Sequence, residues 1–242
     1  MNLCIDLGNS SIKIGIFDKE VPVLFSVYDV FGHLELHGLK VQYPIDACIL
    51  SSVRTEDPEF TELLESLFPN LIILSHTTPV PVTIGYDTPQ TLGKDRLAAV
   101  VAAEFLFSDR NVLVVDAGTA ITFDFLDADK YYHGGNIAPG VGMRFRALHE
   151  FTHKLPLIEP ENDVAELGVD TKSAIGAGVL WGMVYEIDGY IDRLKIKYPE
   201  LLVLLTGGST FYFVGKLKNP IFAEPNLVLI GLNRILQYNV QK

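Results

Sequence analysis

Two short turns in the sequence combine a carboxylate, a glycine and a small polar side chain, groups that together could hold phosphate. The first reads Asp6-Leu7-Gly8-Asn9, and the second, Asp116-Ala117-Gly118-Thr119, starts at position 116 instead of 6, an offset of 110 residues. Glycine lets a bulky ligand lie against the backbone, and turn N–H groups can cradle phosphate oxygens. Each carboxylate would face the cation that the phosphates bring. One such turn is most often only a turn between strands, but the repetition favours a phosphate chain gripped from both sides.

Apolar runs on both sides of these turns predict the strands that would position them. Alternating residues from Leu3 to Leu7 precede the first turn, and Ile12, Ile14 and Ile16 follow it. The run of residues 112–115 before the second turn is typical of a strand buried on both faces, and alternation resumes in residues 121–125. Each turn therefore lies in a predicted hairpin. Two copies indicate a duplicated domain with a shared cleft.

The remaining periodicity predicts an alternation of strands and helices along the whole chain. Further strands are expected at 23–28, 47–50, 71–74, 201–205 and 227–230, and helices at 58–68, 97–107, from about 141 and from about 174 to 194. A short helix containing Asn233 and Arg234 would follow the last strand. Residues 31–43 are ambiguous, and 76–91 form a connector too long to be an idle loop. The glycines and proline of residues 134–140 predict a sharply turned loop.

Composition limits the classes of partner. The length of 242 residues corresponds to one or two domains. The formal net charge of −11 disfavours nucleic acid and anionic membranes as partners. No signal peptide is recognisable, and no apolar run approaches the ~20 residues needed to span a bilayer. Cys4 and Cys48 lack metal-ligand or redox spacing, so we expect buried thiols in a reducing cytoplasm.

Five ordered motifs resemble those of type III pantothenate kinases, within the superfamily of acetate and sugar kinases, actin and chaperone ATPases. They are DLGNSSIK at 6–13, YDTPQTLGKDR at 86–96, DAGTAITFDFLD at 116–127, GGNIAPG at 134–140 and TGGS at 206–209. The resemblance implies an α/β fold of duplicated ribonuclease H-like (actin-like ATPase) halves, 1–110 and 111–242, with a nucleotide cleft between them. It also implies ATP-dependent phosphorylation of the primary hydroxyl of pantothenate, the first step toward coenzyme A. Thr88 departs from the family pattern, because many relatives have Asn there.

The resemblance further implies a role for each motif residue. Asp95 would be the general base that accepts the hydroxyl proton, and Asp116 would bind a monovalent cation, K⁺ or NH₄⁺. Asp6 would contact Mg²⁺, through water. The implied pantothenate contacts are Tyr86, Gly93, Lys94, Arg96 and Thr171. The implied ATP contacts are Asp6, Leu7, Gly8, Asn9, Ser10, Ser11, Lys13, Thr119, Gly207 and Gly208.

Simpler interpretations of the same residues stay open. Asp95 and Thr171 could each be the N-cap of the helix that follows, and Arg96 could be a solvated charge. Four basic residues after position 140 could contact an anion, but an exposed helix face is the more ordinary interpretation; they are Arg144, Arg146, His149 and His153.

The predicted helix at about 174–194 bears on assembly. It would be ~30 Å long, with an apolar stripe and with Gly176, Gly178 and Gly182 near its start. Each glycine costs up to about 1 kcal/mol against alanine, so close approach of another backbone is the expected compensation. The helix could pack inside its own domain. It could instead meet its symmetry mate in a homodimer, which the resemblance favours, with the second subunit walling part of the pantothenate pocket.

Three other functions remain alternatives. A sugar or acetate kinase or a phosphatase of the same superfamily is disfavoured by the string Gly93-Lys94-Asp95-Arg96. A second alternative is a non-catalytic nucleotide-gated regulator, for which the acidic charge and the lack of a basic arm disfavour direct binding to DNA. An actin-like filament protein would be expected to have a longer chain.

Overall fold

The computed structural model describes residues 1–54 and 57–240, so residues 55–56 and 241–242 of the predicted halves lie outside the description. The chain divides into two units. The first comprises residues 1–109, 129–133 and the C-terminal segment from Asn226; the second comprises 110–128 and 134–225. The boundaries of the predicted halves, 1–110 and 111–242, stay a prediction.

A five-stranded mixed sheet forms the frame of the first unit. Its strands are β1 (Asn2–Leu7), β2 (Ile12–Asp18), β3 (Val21–Tyr28), β4 (Ala47–Ser52) and β5 (Asn70–Ile73), in the order β3-β2-β1-β4-β5. The hairpin β1–β2 is antiparallel, as predicted, whereas β4 pairs with β1 in parallel. Two helices, α1 (His33–Gln42) and α2 (Pro58–Leu67), contribute Leu36, Leu39 and Leu64 to the core on one face of this sheet.

Two more helices and a short strand complete the first unit. They are α3 (Lys94–Leu106), α6 (Leu227–Val240) and β6 (Thr83–Ile84). The predicted strand at 227–230 is wrong, because this segment begins α6. A short apolar run cannot distinguish a buried strand from a buried helix. Gly231 lets α6 approach α3 closely, since a Cβ there would lie 1.8 Å from the carbonyl oxygen of Ala98.

The second unit repeats the connectivity of the first. Its strands are β7 (Val112–Ala117), β8 (Ala120–Leu126), β9 (Tyr131–Pro139), β10 (Leu202–Thr206) and β11 (Phe222–Ala223), in the order β11-β10-β7-β8-β9. The first three residues of β9, 131–133, are grouped with the first unit, where β9 pairs with β6. The hairpin β7–β8 is antiparallel, and β10 runs parallel to β7. Helices α4 (Val141–Glu150) and α5 (Thr171–Lys197) share one core with this sheet. None of the described helices has the length and apolarity needed to cross a membrane.

The predicted loop at 134–140 is wrong, because all but its last residue belongs to β9. The glycine there has a packing role, since a Cβ on Gly135 would lie 1.8 Å from the carbonyl oxygen of Phe123 on β8. The other predicted strands and helices are confirmed within one to three residues at most ends, and the ambiguous residues 31–43 contain α1.

Candidate functional site

The first predicted phosphate turn lies at the end of the β1–β2 hairpin. Asp6 is 6% exposed, and its Oδ1 has no hydrogen-bond partner among the described residues. Burial raises the pKa of Asp6 to about 6; the charge of Lys13 opposes this rise, and the carboxylate of Asp95 adds to it. The structure therefore brings together two carboxylates that the sequence places 89 positions apart, at 6 and 95.

The side chains beside Asp6 are fixed by strand register. Lys13 on β2 and Ser51 on β4 are the direct partners of Asp6 on the two neighbouring strands. Side chains at paired positions share one face of a sheet. The first unit thus carries a row of ammonium, carboxylate and hydroxyl across β2, β1 and β4.

Arg54 is a residue that the sequence analysis missed. Its Nε donates a hydrogen bond of 2.6 Å to the carbonyl oxygen of Gly8, which holds the turn, and its charge lowers the pKa of Asp6. The sequence did contain a signal for Arg54, because a polar segment follows the buried strand 47–50. If that strand runs parallel to the first strand, the polar segment lies at the same edge of the sheet as the first turn.

Asp95 and Arg96 lie in the first turn of α3. The N-cap of this helix is Gly93, so the interpretation of Asp95 as the cap is wrong. The Oδ1 of Asp95 instead accepts a hydrogen bond of 2.8 Å from the backbone N–H of Arg96. A Cβ on Gly93 would lie 2.6 Å from that oxygen, which explains the glycine. Arg96 is 5% exposed rather than solvated, and its guanidinium lies 5.7 Å from the centre of the Tyr86 ring.

The second predicted turn joins β7 and β8, and the glycine motif after β10 packs against it. Gly207 has a left-handed backbone (φ 96°), and a Cβ there would lie 2.4 Å from Oδ1 of Asp116. The backbone N–H of Ser209 donates to the carbonyl oxygen of Ala117 at 2.9 Å. Asp116, the Thr119 turn and the Gly207-Gly208 motif therefore form one cluster in the second unit.

Register again gives the neighbours of the carboxylate. Asp116 is paired with Thr122 on β8 and with Thr206 on β10. This row corresponds strand by strand to the row of Lys13, Asp6 and Ser51, but a neutral threonine stands where the first unit has the lysine. The Oγ1 of Thr122 is buried and has no hydrogen-bond partner among the described residues.

Thr171 lies apart from this cluster, at a groove between α4 and α5. Its interpretation as an N-cap is wrong, because Asp170 caps α5 by accepting a hydrogen bond from the N–H of Ser173 at 2.9 Å. The groove has a volume of about 850 Å³ and its lining includes Thr171, Phe151 and Arg144. Arg144 is not part of an exposed face, since it forms an ion pair with Glu186 and donates to the carbonyl oxygen of Pro139 at 2.7 Å.

Comparison with known proteins gives the family. A family model described as type III pantothenate kinase matches residues 2–193. A type III pantothenate kinase of Phocaeicola vulgatus is 54% identical over 99% of both chains. One of Bacteroides fragilis is 48% identical over 99% of this chain and 98% of its own. The chain belongs to the type III pantothenate kinase family.

Solved structures similar to this member of the family agree on the fold. A Campylobacter jejuni protein described as a candidate Baf-family transcriptional activator has a TM-score of 0.61 at 22% identity, over 99% of this chain and 100% of its own. A Listeria monocytogenes protein described as a candidate N-acetylmannosamine kinase has a TM-score of 0.56 at 13% identity, over 99% of each chain. The predicted duplicated actin-like ATPase fold is confirmed at the level of architecture.

Proposed function

We propose that this protein transfers the γ-phosphoryl group of ATP to the primary hydroxyl of pantothenate. The observation that carries the proposal is the joint placement of Asp6 and Asp95 with Arg96 and Tyr86 in the first unit, in a chain of this family. Phosphoryl transfer requires alignment and charge neutralisation more than covalent chemistry. These residues offer carboxylates for a proton and for a hydrated cation, and a guanidinium for the substrate carboxylate.

Asp95 is proposed as the base that accepts the hydroxyl proton, a role worth about 10²–10⁴-fold in rate. Its Oδ1 accepts a hydrogen bond from the N–H of Arg96, and this bond fixes the orientation of the whole carboxylate. Tyr86, Gly93, Lys94, Arg96 and Thr171 are the proposed pantothenate contacts.

The proposed ATP contacts are those of the two turns and of the glycine motif: Asp6, Leu7, Gly8, Asn9, Ser10, Ser11, Lys13, Thr119, Gly207 and Gly208. The unpartnered Oδ1 of Asp6 fits a water of hydrated Mg²⁺, which usually keeps several waters in proteins. When bound, Mg²⁺ neutralises charge on the phosphate oxygens.

A monovalent cation is proposed at Asp116, with K⁺ or NH₄⁺ as the ion. The donors available to it are oxygens, the carboxylate of Asp116 and the buried Oγ1 of Thr122. The first unit has an ammonium, Lys13, at the position of Thr122, so the monovalent cation is proposed for the second unit alone. We expect activity to collapse when sodium replaces potassium at equal ionic strength. Equal rates in the two salts would remove this ion from the proposal.

A homodimer built on the groove between α4 and α5 is also proposed. Phe151 at this groove is 84% exposed. Beyond their chain neighbours and the nearby backbone of α5 itself, Gly178, which also lines it, and Gly182 have no atom of the described residues within 4 Å of the place where a Cβ would be. The cost of these helical glycines therefore has no compensation inside the described part of the chain, and a second subunit would provide one. Such a dimer would bring a partner surface to Thr171.

A cytoplasmic location is part of the same proposal. Cys4 and Cys48 are free and buried, and burial raises the pKa of both thiols. Unreactive thiols are ordinary in a reducing compartment.

The deciding experiment is ADP release by the purified protein with ATP, Mg²⁺ and potassium, with and without pantothenate. A phosphorylated pantothenate product and ADP formation that depends on pantothenate are expected. N-acetylmannosamine and acetate serve as competing acceptors for the superfamily alternatives. ADP release that is unaffected by pantothenate would refute the proposal.

A further inference from the structure

One short segment of the chain packs against the proposed pantothenate contacts. Residues 129–133 are grouped with the first unit although the chain on both sides of them belongs to the second; we call them the docking segment. Its backbone is fastened to β6, since the N–H of Thr83 donates to the carbonyl oxygen of Lys130 and the N–H of Gly85 donates to that of Tyr132, each at 2.9 Å.

Tyr132 is the side chain through which the docking segment reaches the site. It is fully buried, and its ring lies parallel to that of Tyr86, with 6.4 Å between the centroids and 5° between the planes. This is within the range of offset stacking. Tyr86 in turn lies 5.7 Å from the Arg96 guanidinium. The three side chains form a stack whose innermost member is Tyr132.

The docking segment has a second attachment on the helix that carries Arg96. Lys130 adopts a left-handed backbone (φ 62°), and its Nζ lies 2.8 Å from Oε1 of Glu104 on α3. The hydrogen bond to Glu104 raises the pKa of Lys130. The side chain of Glu104 is 6% exposed, and its Oε2 has no hydrogen-bond partner among the described residues. Glu104 and Arg96 are about 12 Å apart along the helix axis, so α3 is held to the segment at two places.

We infer that Tyr132 and Lys130 are positioning residues for the second substrate, fixing Tyr86 and Arg96 in the orientation that binds the pantothenate carboxylate. The inference rests on the proposed function, because Tyr86 and Arg96 are substrate contacts only there. Glu104 is the anchor on α3. Loss of the Tyr132 ring removes the support of Tyr86 under the Arg96 guanidinium, and loss of the anchor lets the segment withdraw from Tyr86.

The test compares steady-state constants of four variants. Tyr132→Leu removes the ring and is expected to raise the KM for pantothenate about tenfold, with the KM for ATP within about twofold, since small misplacements of a binding group have effects of this size. Tyr132→Phe keeps the ring and restores a KM near that of the wild type. Lys130→Met is expected to raise the same KM by about fivefold, and Lys130→Arg to restore it.

Lys40→Met is the matched control. Lys40 lies in the same unit and its ammonium donates to the carbonyl oxygen of Leu67 and lies over Phe68, so the substitution removes an anchored lysine without touching the stack. It is expected to change neither KM.

Thermal unfolding of each variant separates positioning from folding. Since Lys130→Met leaves Glu104 buried without its cation, the double variant Glu104→Gln, Lys130→Met is included, and it should show the same rise in the KM for pantothenate. A folded Tyr132→Leu protein with an unchanged KM for pantothenate would overturn the inference. Equal losses for ATP and pantothenate would also overturn it, by showing a general structural role. A wild-type protein without pantothenate-dependent turnover would instead refute the proposed function, and the inference with it.

Discussion

The substitution Thr122→Lys tests whether the second unit needs a cation from solution because it lacks a lysine of its own. In the first unit the partner of the buried carboxylate Asp6 is Lys13, and in the second the partner of Asp116 is Thr122. A lysine at position 122 would repeat the first row in the second unit. Its ammonium would then occupy the place proposed for potassium.

The size of the effect follows from the pairing geometry. Directly paired side chains have Cβ atoms about 5 Å apart, and two unit charges at that distance attract by about 3 kcal/mol at an effective dielectric constant of about 20. Ordering the lysine side chain costs up to about 2 kcal/mol. The remainder, about 1–1.5 kcal/mol, corresponds to a rate in sodium about fivefold to tenfold above that of the wild type in sodium.

The assay measures pantothenate-dependent ADP release in potassium and in sodium at equal ionic strength. The ratio of the rate in potassium to the rate in sodium should be large for the wild type and about fivefold to tenfold smaller for Thr122→Lys. Thr122→Met is the matched control, of similar length but without charge, and should keep the dependence on potassium. A second readout is the melting temperature with Mg-ADP as potassium is titrated, which should rise for the wild type and stay constant for Thr122→Lys. A folded Thr122→Lys protein with the potassium-to-sodium ratio of the wild type would refute the reasoning.

Three further predictions concern the base, the buried carboxylate and the dimer. Asp95→Asn should lower turnover by about 10²-fold or more while ATP binding, measured by calorimetry, is retained; near-normal turnover would exclude Asp95 as the base. In metal-free buffer at pH 8, Asp6→Asn should raise the free energy of unfolding by up to about 3 kcal/mol. Burial raises the pKa of Asp6 to about 6, so above that pH the charged carboxylate destabilises the folded state. The gain should fade toward pH 4, and an equal gain from the exposed Asp18→Asn control would refute this cause. Gly178→Glu should convert the proposed dimer, of twice 26.8 kDa, to a monomer in light scattering without loss of helix. Gly38→Glu, at an equally open site on α1, is the control and should leave the mass unchanged. A dimer in both variants would place the interface elsewhere.

The hairpins could be predicted from sequence because their signals are local. Alternating apolar residues predicted β1, β2 and β8 as strands, although consecutive residues of each are buried in the structure, and the run before Asp116 marks β7 as a central strand. The polar turns between them needed no knowledge of the rest of the chain. The motif strings then identified the family, since their order along the chain matches it.

The wrong predictions concern segments in which a glycine or a short apolar run is explained by tertiary packing rather than by local sequence. Residues 134–140 were predicted as a loop because glycine and proline favour turns, but Gly135 is required by the close approach of β8. The segment at 227–230 is too short for its period to be read; in the structure it begins α6, which Gly231 lets pack closely against α3. The alternative interpretations of Asp95 and Thr171 as N-caps are excluded, because Gly93 and Asp170 hold those positions.

Each of the two duplicated sheets carries a row of three paired side chains, and the two rows differ at one position. Both units place a carboxylate at the end of the strand that leads to the turn, between a hydroxyl on one neighbouring strand and a variable residue on the other. In the first unit the variable residue is Lys13, and because its charge opposes the effect of burial on Asp6, this row carries part of its own neutralisation. In the second unit Thr122 offers only an oxygen. We therefore propose that the residue on the second strand, a lysine in the first unit and a threonine in the second, determines whether the neighbouring carboxylate takes a monovalent cation from solution, and the salt dependence of activity tests this.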